Sequence, residues 1–237
     1  MTKQTEKRIP IFDNPAYPAS EAARILNLPV ATVKAWCFGQ LYRSAAGLQK
    51  RFKSVIQPAD PNARLLSFAN LCELHVLSAI RRHHKISLPK VRDSIGYVRA
   101  KLGTDRPLID QQFKTNGIDL FVEHASHWLN ASKQGQESLR GEFALALARI
   151  ERDRSGMPIR LFPFSRSTAP DAQQPKSIVI DPRLAFGRPV LSNVAVPTEI
   201  IVDRFRAGDS MIEMARDYGV DEKEIEEALR FEQRRVA

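Results

Sequence analysis

Two short stretches of this 237-residue chain carry side chains of the kind that bind a polyanion. In the first, Val33 and Trp36 stand three apart and would line the buried side of a helix, leaving Thr32 and Lys34 outward near its start. In the second, Arg43, Lys50, Arg51 and Lys53 flank Gly47. There Phe52 and Ile56 could turn inward while Arg51 and Lys53 face out, the pattern of a short basic hairpin. A hydroxyl and an ammonium at a helix start can reach base edges in a groove, and cations on a hairpin can neutralise phosphates. Arg81 and Arg82, followed by His83 and His84, add a third set of phosphate ligands. The plain alternative for the hairpin is a solvated charged loop, because most charge runs are that.

Other chemistry is poorly served. No GxSxG, phosphate loop, metal triad or Cys/His dyad occurs, so an enzyme is the least favoured class. His124 and His127 stand three apart, but no acidic or cysteine ligands cluster with them in sequence, and a metal site needs three or four convergent ligands. They read as ordinary histidines, and no cofactor is implied. The two cysteines, Cys37 and Cys72, form no CxxC, which argues against a disulfide framework or structural zinc and fits a reducing cytoplasm. No apolar run approaches the ~18 residues of a membrane helix.

Net charge is +9, unevenly spread. Residues 1–106 hold 18 Lys/Arg against 7 Asp/Glu, residues 107–208 hold 13 against 11, and residues 209–237 hold 5 against 9. The N-terminal part would draw a polyanion and release its counterions, whereas the C-terminal end would repel phosphate. One surface for nucleic acid and another for a different partner is the simplest inference.

The elements that must position these residues are mostly helical. Ser20 is placed to cap a short helix with Ala22, Ala23 and Leu26 on one face, and Asn27-Leu28-Pro29 breaks it before the helix of Val33 and Trp36. After the hairpin, Ser67 is placed to cap a helix carrying Phe68, Leu71, Leu74, Leu77 and Ile80. Ser87, Pro89 and Gly103 bracket another whose apolar stripe is Val91, Ile95, Val98 and Leu102, with Lys90, Arg92 and Arg99 on its polar side. The order helix, recognition helix, basic wing, long helix and then SLPKVR resembles the DNA-binding half of MerR-type regulators. The stretch LSFANLCELHVLSAIRRHHKISLPKVR in particular looks like the N-terminal domain of a VapB-type antitoxin family, a resemblance covering roughly residues 15–103. Its recognition helix departs from the usual Ser/Thr cap by opening with Pro29 and Val30.

Between residues 107 and 165 the pattern changes. Asn116-Gly117 between alternating segments reads as a β-hairpin, GEFALALARIERD (141–153) as a helix with Phe143, Leu145, Leu147 and Ile150, and MPIRLFPF as a further strand. Residues 166–176, rich in Ser, Pro, Gln and Asp, read as a linker. The middle segment, with the helix of Phe143, is the candidate dimer interface.

In residues 177–237, a short strand at 178–180 precedes a helix entered by Pro197, carrying Ile200, Ile201 and Phe205 and closed by Gly208. Ser210 with Glu213, and Asp221 with Glu224, form two capping boxes around Gly219, giving a trihelical unit. Its helix-turn-helix shape raises a second DNA reader, but a last helix opening DEKEIEE would repel a duplex. One face would show Asp221, Glu222, Glu224, Glu226 and Glu227 beside Met211, Met214 and Phe231, fit for docking on a basic protein. The bland alternative is that the methionines complete the core and the acids sit at a solvated helix start. Ile180-Asp181-Pro182, Gly187-Arg188-Pro189-Val190, Pro197, Gly208-Asp209-Ser210 and Tyr218 are similar to a small bacterial family labelled only as a domain of unknown function, number four-three-three. Where that family has Gly-Thr-Arg, this chain has Asn193-Val194-Ala195, with Asn193 expected to take the left-handed place of the glycine.

The expected fold class is therefore mainly α (α+β): a winged helix-turn-helix, a small middle segment with a β-hairpin, and a trihelical end. The two resemblances imply an antitoxin of a type II toxin-antitoxin system, binding operator DNA as a repressor. They also imply a PIN-like ribonuclease from the same operon as the partner of the C-terminal part, and two-fold operators imply a homodimer. The alternative is a stand-alone MerR-like regulator whose C-terminal half senses a ligand.

Overall fold

The structure, a computed structural model, describes residues 10–43, 47, 49–83, 87–126, 133–166 and 173–234. Strand β1 (Tyr17–Pro18) leads into α1 (Ala19–Leu26). Pro18, not Ser20, is the N-cap, and no side chain caps this helix. The proline fixes φ near −61° for the turn into the helix and leaves Ser20 inside the first turn. Ala22, Ala23 and Ile25 are buried. Asn27 ends α1 in the left-handed region, its N–H returning to the Ala23 and Arg24 carbonyls. This is the short polar residue best able to take that conformation.

Helix α2 (Val30–Phe38) follows Pro29 and buries Val33 and Trp36 as the spacing predicts. Strands β2 (Gln40–Arg43) and β3 (Gln49–Phe52) then pair antiparallel, Gln40 opposite Phe52 and Arg43 opposite Gln49. At the hairpin's root Gly39 has φ +74°, and a Cβ there would stand 2.4 Å from the Phe52 carbonyl oxygen, so only glycine lets the strands close. A helix, a turn, a second helix and a two-stranded wing thus follow one another as the fold class requires.

Strand β4 (Leu65–Leu66) returns to pair with β1. Helix α3 (Phe68–His83) is capped reciprocally: Asn70 N–H donates to Ser67 Oγ (3.2 Å) and Ser67 N–H to Asn70 Oδ1 (3.1 Å). Helix α4 (Leu88–Leu102) stops at left-handed Gly103 with Val91, Ile95 and Val98 buried.

The middle segment departs from its reading. Asn116-Gly117 makes no hairpin: residues Phe113–Gly117 form a π-helical turn running straight into α5 (Ile118–Ser126). The helical recurrence of Phe113, Ile118, Phe121, Val122 and Ala125, all buried, outweighs the turn preference of one dipeptide. Gly117 is needed because a Cβ would press into the Phe113 ring at 2.6 Å. Helix α6 (Lys133–Leu147) starts earlier than expected and ends sooner, and Ile150 belongs to β5 (Ile150–Arg152). The hairpin of this segment is β5 with β6 (Pro158–Leu161), the strand read from MPIRLFPF. Its turn is closed by Asp153, whose Oδ1 accepts from Ser155 N–H (2.9 Å) and Met157 N–H (3.0 Å).

The apolar faces of α1, α2, α3, α4, α5 and α6 share one core. Phe143 of α6 stands edge-to-face with Phe113 and Phe121, at 5.2 and 5.0 Å between centroids. The apolar face of α6 is thus spent inside the chain, which leaves its polar side for any contact with a second copy.

Strands β7 (Ile178–Val179) and β8 (Val190–Leu191) pair beneath α7 (Thr198–Ala207), α8 (Met211–Tyr218) and α9 (Glu222–Gln233). Ile178, Leu191, Ile201, Met214, Ile225, Ala228 and Phe231 form a second core. Pro197 is the N-cap of α7, and Gly208 and Gly219 end α7 and α8 in the left-handed region. The Ser210 and Glu213 box closes in both directions: Glu213 N–H to Ser210 Oγ at 3.2 Å, Ser210 N–H to Glu213 Oε2 at 2.9 Å. The left-handed residue in the Asn193 stretch is Ala195, with φ +56°, not Asn193. Asn193 instead points Nδ2 at Glu224 Oε1, 2.6 Å away. Ile180 bridges to Leu161 by two backbone bonds, so the two cores are stitched together.

Candidate nucleic-acid interface

Helix α2 presents Ala31 and Lys34 to solvent and Thr32 half-exposed, while its opposite face packs into the core. The turn before it is held by Thr32 N–H to the Pro29 carbonyl (2.9 Å), which does for the helix start what a Ser/Thr cap would do. After the hairpin, Val55 and Ile56 donate to the Trp36 carbonyl (2.7 and 3.1 Å), fixing the wing's exit to α2. Within the wing Arg51 is paired with Leu41 and Lys50 with Tyr42, and Lys53 is exposed just past its end. Phe52 and Ile56 turn inward as expected. The side chains of Arg43, Lys50, Arg51, Arg81 and Arg82 lie outside the described ones; their backbone places the first three on the wing and the last two in the final turn of α3.

Two cations that no sequence motif singled out for this surface join it. Arg92 of α4 sets its guanidinium 4.9 Å over the Phe52 ring and donates to the Lys53 carbonyl at 3.2 Å, bracing the wing against the helical body. Arg64, exposed and left-handed at φ +57°, lies 4.5 Å over Phe38 at the end of α2. Sequence periodicity could place Arg92 on a polar face, but nothing local could say that Phe52 lies beneath it.

The histidine pair divides. His124 stacks on Tyr97 at 4.5 Å and contacts Asp93 Oδ2 at 3.1 Å, and His127 lies outside the described residues. Among the described residues no group of three or more His, Cys, Asp or Glu could hold a metal ion. Burial pushes both cysteine thiols far up, so neither is a ready nucleophile. Glu73 of α3 is buried too; burial raises its pKa, and Arg106 and Asn70 oppose the rise with bonds of 2.9 Å each. No described helix is long and apolar enough to cross a membrane.

The partner face read from the sequence does not hold together as drawn. Met214 and Phe231 close the trihelical core at 0% and 2% exposure, and Met211 packs half-buried on it. Their spacing matches the core side of α8 and α9 as well as an outward stripe, and the core takes them. Glu227 is buried, held by Ser165 (2.9 Å) and by Arg166. Asp221 and Glu224 make the expected helix-start box, Asp221 N–H donating to Glu224 Oε2 at 3.3 Å. Exposed apolar side chains lie elsewhere on this unit: Ile200, Phe205 and Ile212 on the helices and Phe186 on the loop before β8.

These features define a helix-turn-helix with a basic wing, built on a helical body and followed by a trihelical end. Residues 178–231 match the family profile described as "Protein of unknown function (DUF433)". Over 242 residues, spanning 92% of this chain and 94% of the relative, the chain is 27% identical to a protein of Mycobacterium tuberculosis (strain ATCC 25618 / H37Rv) named "Putative antitoxin VapB45". The crystal structure of Rv2018 from Mycobacterium tuberculosis has the same fold: TM-score 0.66 at 22% identity, covering 92% of this chain and 98% of that one.

Proposed function

We propose that this chain is the antitoxin of a type II toxin-antitoxin pair: a dimeric, cytoplasmic repressor that binds its own operator and neutralises a PIN-like ribonuclease. The observation that carries the reading is the likeness along nearly the whole chain to a protein named as an antitoxin. The MerR-like unit of residues 1–106 would read DNA. Thr32 and Lys34 enter the major groove, and Arg43, Lys50, Arg51, Lys53, Arg81 and Arg82 hold phosphates. The charge excess of that part supports the assignment, since cations on one surface supply most of the salt-dependent affinity for a duplex.

Residues 177–237 would hold the nuclease. With Met214 and Phe231 inside, the apolar contacts fall to Phe205 and Ile212, among exposed acids such as Glu213, Asp217 and Glu222. A surface evolved to hold RNA is basic, and carboxylates steer it while apolar side chains set the lifetime of the complex. The test is co-expression with the neighbouring reading frame. A nuclease should copurify with the full chain, arrest growth when expressed alone, and be silenced by the pair. Recovery of the full chain alone, with growth unaffected by the neighbour, sinks the reading.

A further inference from the structure

The last described residues of the chain finish its first helix. Helix α1 is eight residues long, too short to stand on its own propensity. Its final carbonyls need donors from elsewhere. Asn27 and Leu28 amides serve Ala23, and Asn27 serves Arg24. The Ile25 carbonyl takes its hydrogen from Arg234, whose Nη2 lies 3.1 Å away and also 3.4 Å from the Arg24 carbonyl. The same guanidinium is preset from behind: Nε donates to the Phe231 carbonyl (2.9 Å), Nη1 to the Phe164 carbonyl (2.6 Å), and Cζ stands 3.9 Å over the Phe231 ring. Two residues earlier, Glu232 accepts from Arg24 Nη1 and from Thr198 Oγ1, both at 2.5 Å, joining α1 to the start of α7. A cation at the negative end of α1 and a carboxylate on its last arginine thus sit beside Asn27-Leu28-Pro29, the turn that sets the angle between α1 and α2.

We infer that Arg234 and Glu232 are positioning residues for DNA binding: they touch no DNA, but Arg234 by capping α1 and Glu232 by holding its last arginine, Arg24, fix the angle at which α2 is offered to the groove. This rests on the DNA-binding reading. Without the cap the last turn of α1 frays and the angle broadens. Base contacts need that angle, whereas attraction of cations to phosphate does not. The loss should therefore fall on specific binding alone, which a merely structural joint between the two ends would not produce.

The experiment uses the full chain and two duplexes of equal length: one carrying the region directly upstream of its own reading frame, the other its scrambled sequence. Arg234→Ala should weaken binding to the upstream duplex about tenfold, leave the scrambled duplex unchanged, and speed amide exchange at Asn27 and Leu28. Arg234→Lys, which keeps the charge but not the fork, should recover part of the loss. Wild-type affinity for the upstream duplex in a folded Arg234→Ala chain overturns the inference, as does unchanged exchange at Asn27 and Leu28. Should circular dichroism show Arg234→Ala unfolded, Glu232→Gln decides: specific affinity must fall with the fold intact, and unchanged affinity overturns it. A wild-type chain that holds neither duplex refutes the DNA-binding reading itself, and the role of Arg234 falls with it, an outcome distinct from loss in the variant alone.

Discussion

Arg149 holds its guanidinium 4.9 Å over the ring of Phe164, and from that position it gathers both ends of the stretch 163–175. It donates to the carbonyls of Phe162 (2.6 Å) and Pro163 (3.2 Å) on one side and of Gln174 (3.0 Å) and Pro175 (2.6 Å) on the other. Residues 166–176, whose composition reads as a linker, are therefore flanked by bonds from one buried arginine, to the strand end just before them and to Gln174 and Pro175 within them. Arg149→Ala should cost about 3 kcal/mol, because it strands several carbonyls in a protein interior. Urea unfolding measures it, and a loss below about 1 kcal/mol would show that water replaces the bonds at no cost.

The wing and the recognition helix should fail in different ways. A chain with Arg51→Ala and Lys53→Ala should bind all duplexes more weakly and show a salt slope smaller by about two, one for each cation withdrawn from a phosphate. Thr32→Ala or Lys34→Ala should instead change which sequence is preferred. Equal affinity of the wing variant and the parent at low and moderate salt would remove the wing from the DNA surface.

Bracing predicts a third pattern. Arg92→Ala removes the cation over Phe52 and the bond to the Lys53 carbonyl. It should loosen the wing and weaken DNA binding about threefold, while Arg92→Lys should restore less than half of that, since an ammonium cannot stack as a guanidinium does. Hydrogen exchange in β2 and β3 should quicken in step. Wing protection equal to the parent's would mean that Arg92 does not brace it.

Acid should loosen the β7–β8 region. Burial pushes the Asp181 carboxylate up, but bonds from Arg183 (2.9, 2.9 and 2.7 Å) and Arg160 (3.2 Å) more than offset it and hold the group below the usual carboxylate range. A pKa lower when folded means that the unfolded chain takes up the proton first. The stability this group confers is full above about pH 4, the ordinary unfolded value, and is lost as pH falls through the lower folded one. Asp181→Asn should cost about 2 kcal/mol at pH 7, and the gap to wild type should close in acid. A gap independent of pH would place the effect in packing instead.

Phe143 should prove a core residue. Phe143→Ala should cost about 3 to 5 kcal/mol and leave the sedimentation of the folded fraction unchanged. A folded variant that sediments as a monomer from a dimeric parent would return the α6 face to the dimer interface.

Local chemistry carried most of the fold into the sequence. Val33 with Trp36, the glycines at 103, 208 and 219, and both capping boxes each depend on neighbours within about a turn, so their spacing suffices. Asn116-Gly117 misled because a dipeptide preference is small beside the burial of Phe113 and Phe121, whose partner Phe143 lies far along the chain. Met214 and Phe231 misled for a related reason: an apolar stripe does not tell which side of a small unit is inside. Arg64 over Phe38, Arg92 over Phe52 and Arg234 on the Phe164 and Ile25 carbonyls act on groups brought to them only by folding, and no pattern along the chain marks those partners.

Tyr17 donates to the Gly187 carbonyl across 170 residues, and Arg24 meets Glu232 across 208. On the ribosome these are contacts between what is made early and what is made much later. The first helix must then wait for residues 232 and 234 to be made before its end is closed. A chain cut short by interrupted translation would carry the basic wing but not the finished turn, and could crowd DNA without choosing where.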